Sequence, residues 1–229
     1  MALERTLEPE VMDTDEEARD YDAMDHGSVN ASFCEDLLAA SATPGRVLDV
    51  GTGTGLIPVE LCRRTPRVEV DAIDLASHML ALAQRNVERA SLAGQIRLAR
   101  VDAKSTRWAD GTFDTVMSNS IVHHIPEPRS VFAEMWRLLR PGGLLFVRDL
   151  ERPESAARLE ELVAKHAPIP DGSAEVRAMH QRQRVLFAAS LHAALLAEEV
   201  RAMVAPLGIP PAAVRTTSDR HWTLSHVKS

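Results

Sequence analysis

Hydrophobic and polar positions change rhythm along this chain, and each rhythm predicts an element. Residues 1–27 are rich in Asp and Glu with little periodicity, apart from a denser patch at Tyr21-Asp22-Ala23-Met24-Asp25-His26. From Ser28 the apolar residues Val29, Phe33, Leu37, Leu38 and Ala40 recur at about 3.6, which predicts a helix. Short apolar runs at 46–50, 68–74, 95–101, 112–118 and 144–147 then read as strands. Helical patterns at 56–63, 77–91 and 128–139 separate them. Leu80, Ala83, Val87 and Ala90 share one face of the second, and Val131, Phe132, Met135, Leu138 and Leu139 one face of the third. Pro141-Gly142-Gly143 is expected to stop that third helix, since proline cannot continue the ladder and glycine takes the left-handed cap.

Strands alternating with helices predict parallel pairing through right-handed crossovers. A closed barrel of about eight such units would need more chain. After Asp149 the pattern changes to a helix at 154–166, a break at 168–172 and one or two helices over 174–205. Residues 214–217 and 221–224 read as two short strands of a hairpin that closes the sheet with antiparallel pairing. The expected fold is therefore α/β: a doubly wound, mostly parallel, Rossmann-like seven-stranded sheet with an antiparallel C-terminal hairpin and a helical cap. A single domain is expected over 28–229, with a helical insertion at about 154–190 and an N-terminal lid or tail over 1–27.

Composition narrows the function classes. Of 229 residues, 45% are hydrophobic and 26% charged, which is ordinary for a globular domain and argues against disorder or a coiled coil. The net charge of −7 lacks the cationic footprint of a nucleic-acid binder. Two cysteines, Cys34 and Cys62, cannot build a disulfide framework and read as small buried hydrophobes. No apolar run approaches the roughly 18 residues of a membrane helix, and residues 1–17 lack the pattern of a signal peptide. A cytoplasmic protein with neither a membrane nor a nucleic-acid partner is the expectation.

The most informative stretch is Val47-Leu48-Asp49-Val50-Gly51-Thr52-Gly53-Thr54-Gly55, a strand running through glycines into a helix. The dinucleotide fingerprint needs its third glycine at position 56, which is Leu56, and no Gly-Lys-Ser/Thr of a phosphate loop follows. Asp49 beside the helix start would repel a pyrophosphate and suit a positively charged ligand. Asp74 ends the second strand, where a carboxylate can accept from both hydroxyls of a ribose. Asp102 ends the third, placed to receive an adenine amino group. Adenine, a ribose diol, a cationic tail and no phosphate together describe S-adenosylmethionine.

Over residues 46–150 the sequence resembles the class I S-adenosylmethionine-dependent methyltransferases, in the small-molecule group that includes the ubiquinone and menaquinone C-methyltransferases. The glycine stretch, Asp74, Val101-Asp102-Ala103, Phe113-Asp114-Thr115-Val116 and Leu139-Arg140-Pro141-Gly142-Gly143 carry the resemblance in that order. It implies that Gly51 and Gly53 approach the methionine part of the cofactor by backbone, with Asp49 near its amino group. It further implies Asp74 on the ribose, Leu75 and Met79 on the adenine face, and Asp102 with the Ala103 amide at the adenine edge. Ser118 or Asn119 would offer a carbonyl to the ammonium, while Asp114 ties the sheet. Met79 reads equally well as core.

Methyl transfer is an in-line displacement, so the protein must align donor and acceptor, exclude water and take a proton only where the acceptor has one to lose. His123 and His124 follow the fourth strand, at the edge where such sheets bind ligands, and either could act as base or touch substrate. Both could instead bind backbone at the next helix. Adjacent histidines without a third spaced ligand give no reason to expect a metal. Tyr21 is a candidate catalytic lid residue, and His26, Asn30, Arg148 and Ser190 are candidates for the acceptor side, with Met179 to Ser190 expected to cap the pocket. A cofactor-binding module without transferase activity and, further off, a NAD-dependent oxidoreductase are the other readings. Ser118-Asn119-Ser120-Ile121 stands where a nucleic-acid methyltransferase would carry an Asn/Asp-Pro-Pro-Tyr/Phe motif.

Overall fold

The computed structural model describes residues 3–11, 13–22 and 27–229. Its centre is a seven-stranded sheet of order β3-β2-β1-β4-β5-β7-β6. The strands are β1 (Arg46–Val50), β2 (Glu69–Asp74), β3 (Ile96–Arg100), β4 (Phe113–Asn119), β5 (Leu139–Leu150), β6 (Val214–Thr216) and β7 (His221–Val227). The first five pair in parallel, and β7 runs antiparallel to both β5 and β6. The expected mostly parallel sheet and C-terminal hairpin are both present. Strand order reverses between β1 and β4, the switch point that opens a crevice at the strands' carboxyl ends.

Among the described residues, eight α-helices flank the sheet: α1 (Asp15–Asp22), α2 (Gly27–Ala40), α3 (Leu56–Arg64), α4 (Ser77–Arg89), α5 (Pro128–Leu138), α6 (Ala156–His166), α7 (Ala174–Ala193) and α8 (Ala197–Val204). Burial on both faces explains why the central strands read as unbroken apolar runs. Phe33, Leu37, Val59, Leu61 and Val87, from α2, α3 and α4, pack with Val47, Val70 and Met117 on one face. Val131, Phe132, Met135, Val200 and Val204, from α5 and α8, pack with Leu48, Val50, Val116 and Trp222 on the other. A smaller cluster joins α6 and α7 through Leu162, Val163 and Leu191 to Leu150. Cys34 and Cys62 are both buried, and burial pushes their thiols up to about 12 and about 11, so they behave as hydrophobes.

Asp114 ties the sheet at the end opposite the crevice. Its Oδ2 accepts from the Arg46 amide at 2.6 Å and its Oδ1 from Arg140 Nε at 2.5 Å. One expectation needs correction. Pro141-Gly142-Gly143 does not cap α5; the helix ends at Leu138, and all three residues lie inside β5. Leu139 already pairs with Phe113, the register then slips, and pairing resumes at Thr115–Leu144. The displaced backbone is satisfied by β7's end, since Gly142 N donates to Lys228 O and Lys228 N to Gly143 O.

Trp222 is fully buried and packs on Phe132 with ring centroids 6.4 Å apart. Replacing it with alanine is expected to cost about 3–5 kcal/mol of folding stability, read from the shift in denaturant midpoint. A loss of less than about 1 kcal/mol would contradict its central place in this core.

Candidate functional site at the carboxyl ends of β1, β2 and β4

The glycine loop is fastened to β2 before any ligand is considered. The amides of Gly51 and Thr52 both donate to the Ile73 carbonyl at 2.9 Å, and the Gly53 amide donates to Asp74 Oδ2 at 2.8 Å. Asp74 Oδ1 accepts from the Ala76 amide at 2.9 Å, at the entry to α4. At Gly51, with φ +73°, an added Cβ would lie 2.1 Å from Ile121 Cγ2, so glycine there lets the loop after β4 close down on the loop after β1. Gly55 is left-handed at the start of α3 and lies against Ala83.

A cavity opens above this loop. Its wall includes Asp49, Gly51, Gly53, Asp74, Leu75 and Met79 on the β1–β2 side. Asp102, Ala103 and Lys104 follow β3, Asn119, Ser120, Ile121 and His124 follow β4, and Asn30 comes from α2. Ser120 holds a left-handed φ of 58°, uncommon for a residue with a side chain and frequent where strain serves a site. Met79, 5% exposed, serves both of its expected roles by lining the cavity and packing on Ala18 and Ala76.

Two carboxylates dominate the electrostatics. Asp49 is 2% exposed and makes no ion pair among the described residues. Burial, with the nearby Asp74 charge, pushes its carboxyl up to about 7 against the opposing effect of the Thr52 hydroxyl. Burial also raises Asp74, against the hydrogen bonds from Ala76, Gly53 and Leu75. An ionised carboxylate has about four acceptor sites, so each Asp74 oxygen keeps capacity beyond its backbone partner. Asp102 Oδ1 accepts from the Lys104 amide at 2.9 Å, and its side chain remains 43% exposed at the cavity's edge. Asn119 Oδ1 is buried with no partner.

Other candidates lie elsewhere. Ser118 is fully buried, its hydroxyl donating to the Val50 carbonyl at 2.8 Å, while its neighbour Asn119 reaches the cavity. Arg148 was expected at the crevice but faces the α2 side, pairing with Asp36 at 2.5 Å and stacking near Phe33 and Phe146. Strand alternation explains this, because Asp149, one residue on, is the one that points back under the loop after β4. Asp149 Oδ2 accepts from the Val122 amide and its Oδ1 meets His123 Nδ1 at 2.5 Å. His123 is thereby buried behind the cavity, and only His124 lines it. Tyr21 falls in α1 with its side chain outside the described residues, and His26 lies outside them altogether.

The expected cap also differs. No cavity-lining residue comes from 154–190; instead Glu10 and Val11 cover the opening. Residues 5–11 cross the site as a strap, with Asp13 beyond them. Arg5 donates to the carbonyls of Ala193, His123 and Ile125, and Thr6 N to His192 O. Glu10 binds Lys104, and Asp13 accepts from the His78 amide at 2.9 Å. Ser190 serves this strap, its hydroxyl 3.5 Å from Glu8 Oε2. Sequence patterning missed Glu8, Glu10 and Val11, because an irregular segment carries no periodicity from which to place it.

A family model described as "Methyltransferase domain" matches residues 47–143, the span of the glycine loop, the Asp74 and Asp102 strand ends and the segment after β4. Residues 47–143 are thus a methyltransferase domain, similar to those of the class I S-adenosylmethionine-dependent enzymes. It is 40% identical over 136 residues to a phosphatidylethanolamine N-methyltransferase of Cereibacter sphaeroides, covering 56% of this chain and 66% of that one. It is 35% identical over 120 residues to a demethylmenaquinone methyltransferase of Thermus thermophilus, covering 52% and 54%. The chain thus spans between half and two thirds of these curated relatives. Among solved structures, a SAM-dependent methyltransferase from Aquifex aeolicus superposes with a TM-score of 0.63 at 16% identity, over 93% of this chain and 97% of that one. The cyclase SpnF superposes at 0.55 with 19% identity over 86% and 81%, so the fold alone does not set the reaction.

The donor set fits the family's cofactor. An unpaired buried carboxylate, a second carboxylate with spare acceptor capacity and an unpartnered Asn119 oxygen face one cavity. Substituting Gly51 with alanine is expected to lower S-adenosylhomocysteine affinity by about tenfold or more while the chain remains folded, since Ile121 must move away from the loop. Unchanged affinity in calorimetry, with the fold confirmed by circular dichroism, would contradict the close approach of the two loops.

Proposed function

We propose that this protein transfers a methyl group from S-adenosylmethionine to a small-molecule acceptor by in-line displacement. The observation that carries the reading is Asp49, a buried carboxylate with no cationic partner among the described residues, set at the mouth of the glycine loop. A pyrophosphate is the wrong ligand for that position. The amides that a dinucleotide would need are already given to Ile73 and Asp74, and a carboxylate stands beside them. This speaks against the NAD-dependent alternative.

When bound, the cofactor supplies an electrophilic methyl on a sulfonium. The chain's own contribution is placement. Asp49 would attract the ammonium, Asp74 would accept from the ribose diol, and Asp102 with the Ala103 amide would meet the adenine edge between Leu75 and Met79. Asn119 and the left-handed Ser120 lie where the acceptor must approach, and the strap bearing Glu10 and Val11 keeps water out. His124 is the histidine that lines the cavity. Burial and its neighbour His123 push it down to about 3, so it is neutral there rather than an acid. A small amine, quinol or hydroxyl-bearing acceptor is consistent with the names of the relatives. The two free buried thiols accord with a reducing, cytoplasmic setting.

Asp74→Ala should weaken cofactor binding by at least about tenfold, the loss expected when hydrogen bonds to a charged group disappear. Unchanged affinity by calorimetry would refute the ribose assignment. A pH test addresses Asp49. Its carboxyl is charged above about 7, and only the charged form attracts an ammonium. S-adenosylhomocysteine affinity should therefore fall as pH drops from about 8 to about 6, approaching tenfold per unit below the pKa. Asp49→Asn should bind weakly with a flat profile. A flat profile in the unaltered protein would contradict this role.

A further inference from the structure

We propose that Glu8, His123 and His124 form a binding site for a divalent transition metal of the Zn2+ type. Glu8 Oε1 lies 3.4 Å from His123 Nε2 and 3.2 Å from His124 Nδ1. All three atoms fall within 4.8 Å of one another. Two ligands of a tetrahedral zinc, each bonded at about 2.0–2.1 Å, stand about 3.3 Å apart. The spacing is thus that of ligands around one ion.

The direction of each lone pair is fixed from outside. His123 Nδ1 meets Asp149 Oδ1 at 2.5 Å, so its proton sits on that side and Nε2 presents a lone pair inward. The far side of the His124 ring bonds the Pro9 carbonyl, which a ring nitrogen can do only as a donor. That leaves His124 Nδ1 as a second inward lone pair. Glu8 is held by the Ser190 hydroxyl on its other oxygen. Three acceptors therefore converge, and Glu8 Oε1 and His124 Nδ1 are buried with no hydrogen-bond partner. Such an arrangement is repulsive unless a proton or a cation sits in the middle.

The surroundings match what metal sites carry. The side chains of His123 and Glu8 are 3% and 10% exposed. A carboxylate behind a ligating histidine fixes its tautomer and raises its basicity, the part Asp149 plays here. Three protein ligands leave a fourth position open, and His124 borders the cofactor cavity. An ion here would also pin the strap, because Glu8 stands two residues before Glu10, which covers that cavity. This site goes beyond the transfer reading and stands whether or not that reading holds.

The test is a calorimetric titration of the chelator-treated full chain with Zn2+, repeated with Co2+ while its visible spectrum is followed. One ion per chain is expected, with the intense absorption of a low-coordinate Co2+ centre. Glu8→Gln, outside the sheet's core, should weaken binding by about tenfold or more, and Ser190→Ala by a smaller factor. Glu8→His should restore it, which separates ligation from a merely structural role. Should Glu8→Gln fail to fold, His124→Gln reads the same loss. No stoichiometric uptake by the folded protein would overturn the proposal. Equal uptake by Glu8→Gln and His124→Gln would do so too, and would leave a proton as the central charge.

Discussion

Everything at this site follows from how the glycine loop is tied to the end of β2. Three consecutive amides, from Gly51, Thr52 and Gly53, are consumed by the Ile73 carbonyl and the Asp74 carboxylate. In a dinucleotide-binding sheet the loop at this switch point turns its amides toward phosphate. Here the same topology turns them inward. What faces the cavity instead is carboxylate, Asp49 and Asp74. One local hydrogen-bonding choice thus converts an anion-binding crevice into one suited to a cation with a sugar attached.

That choice depends on packing elsewhere. Ile121 can close over the loop only because Gly51 has no Cβ to meet it, and Ile121 is held by the turn that follows β4. Asp149 organises that turn by accepting from the Val122 amide while meeting His123. Asp149 is fully buried, and hydrogen bonds from the His123 ring and the Leu150 amide help hold its carboxyl below the usual range despite burial. The chain from β5 to the β4 loop to the β1 loop is therefore continuous, and it carries the cavity floor. The strap of residues 5–11 forms the roof and adds Glu8 to the same histidine pair.

Much of this was legible in the sequence because the sheet is buried on both faces. Apolar runs at 46–50 and 68–74 can only be central strands when bounded by glycine and by a helical pattern, and carboxylates at their ends stand out against that background. Asp49, Asp74 and Asp102 were readable for this reason, and all three reach the cavity. Arg148 was misplaced because its neighbour Asp149 shares the strand end, and only the pleat decides which of the two faces the crevice. The Pro141-Gly142-Gly143 segment looked like a helix stop, yet Lys228, far along the chain, supplies the partners that let it remain in a strand. Glu8 and Glu10 were invisible for a related reason. Their positions are fixed by side-chain contacts to His123, His124, Ser190 and Lys104, which no periodicity announces.

The most direct measurement is a paired calorimetric titration of the unaltered chain with S-adenosylmethionine and with NAD. A cavity whose Gly51, Thr52 and Gly53 amides are spent and whose Asp49 and Asp74 carboxylates have no cationic partner among the described residues should saturate with the first at one molecule per chain and take up none of the second. Saturable binding of NAD, or no heat of binding from S-adenosylmethionine at any accessible concentration, would contradict it.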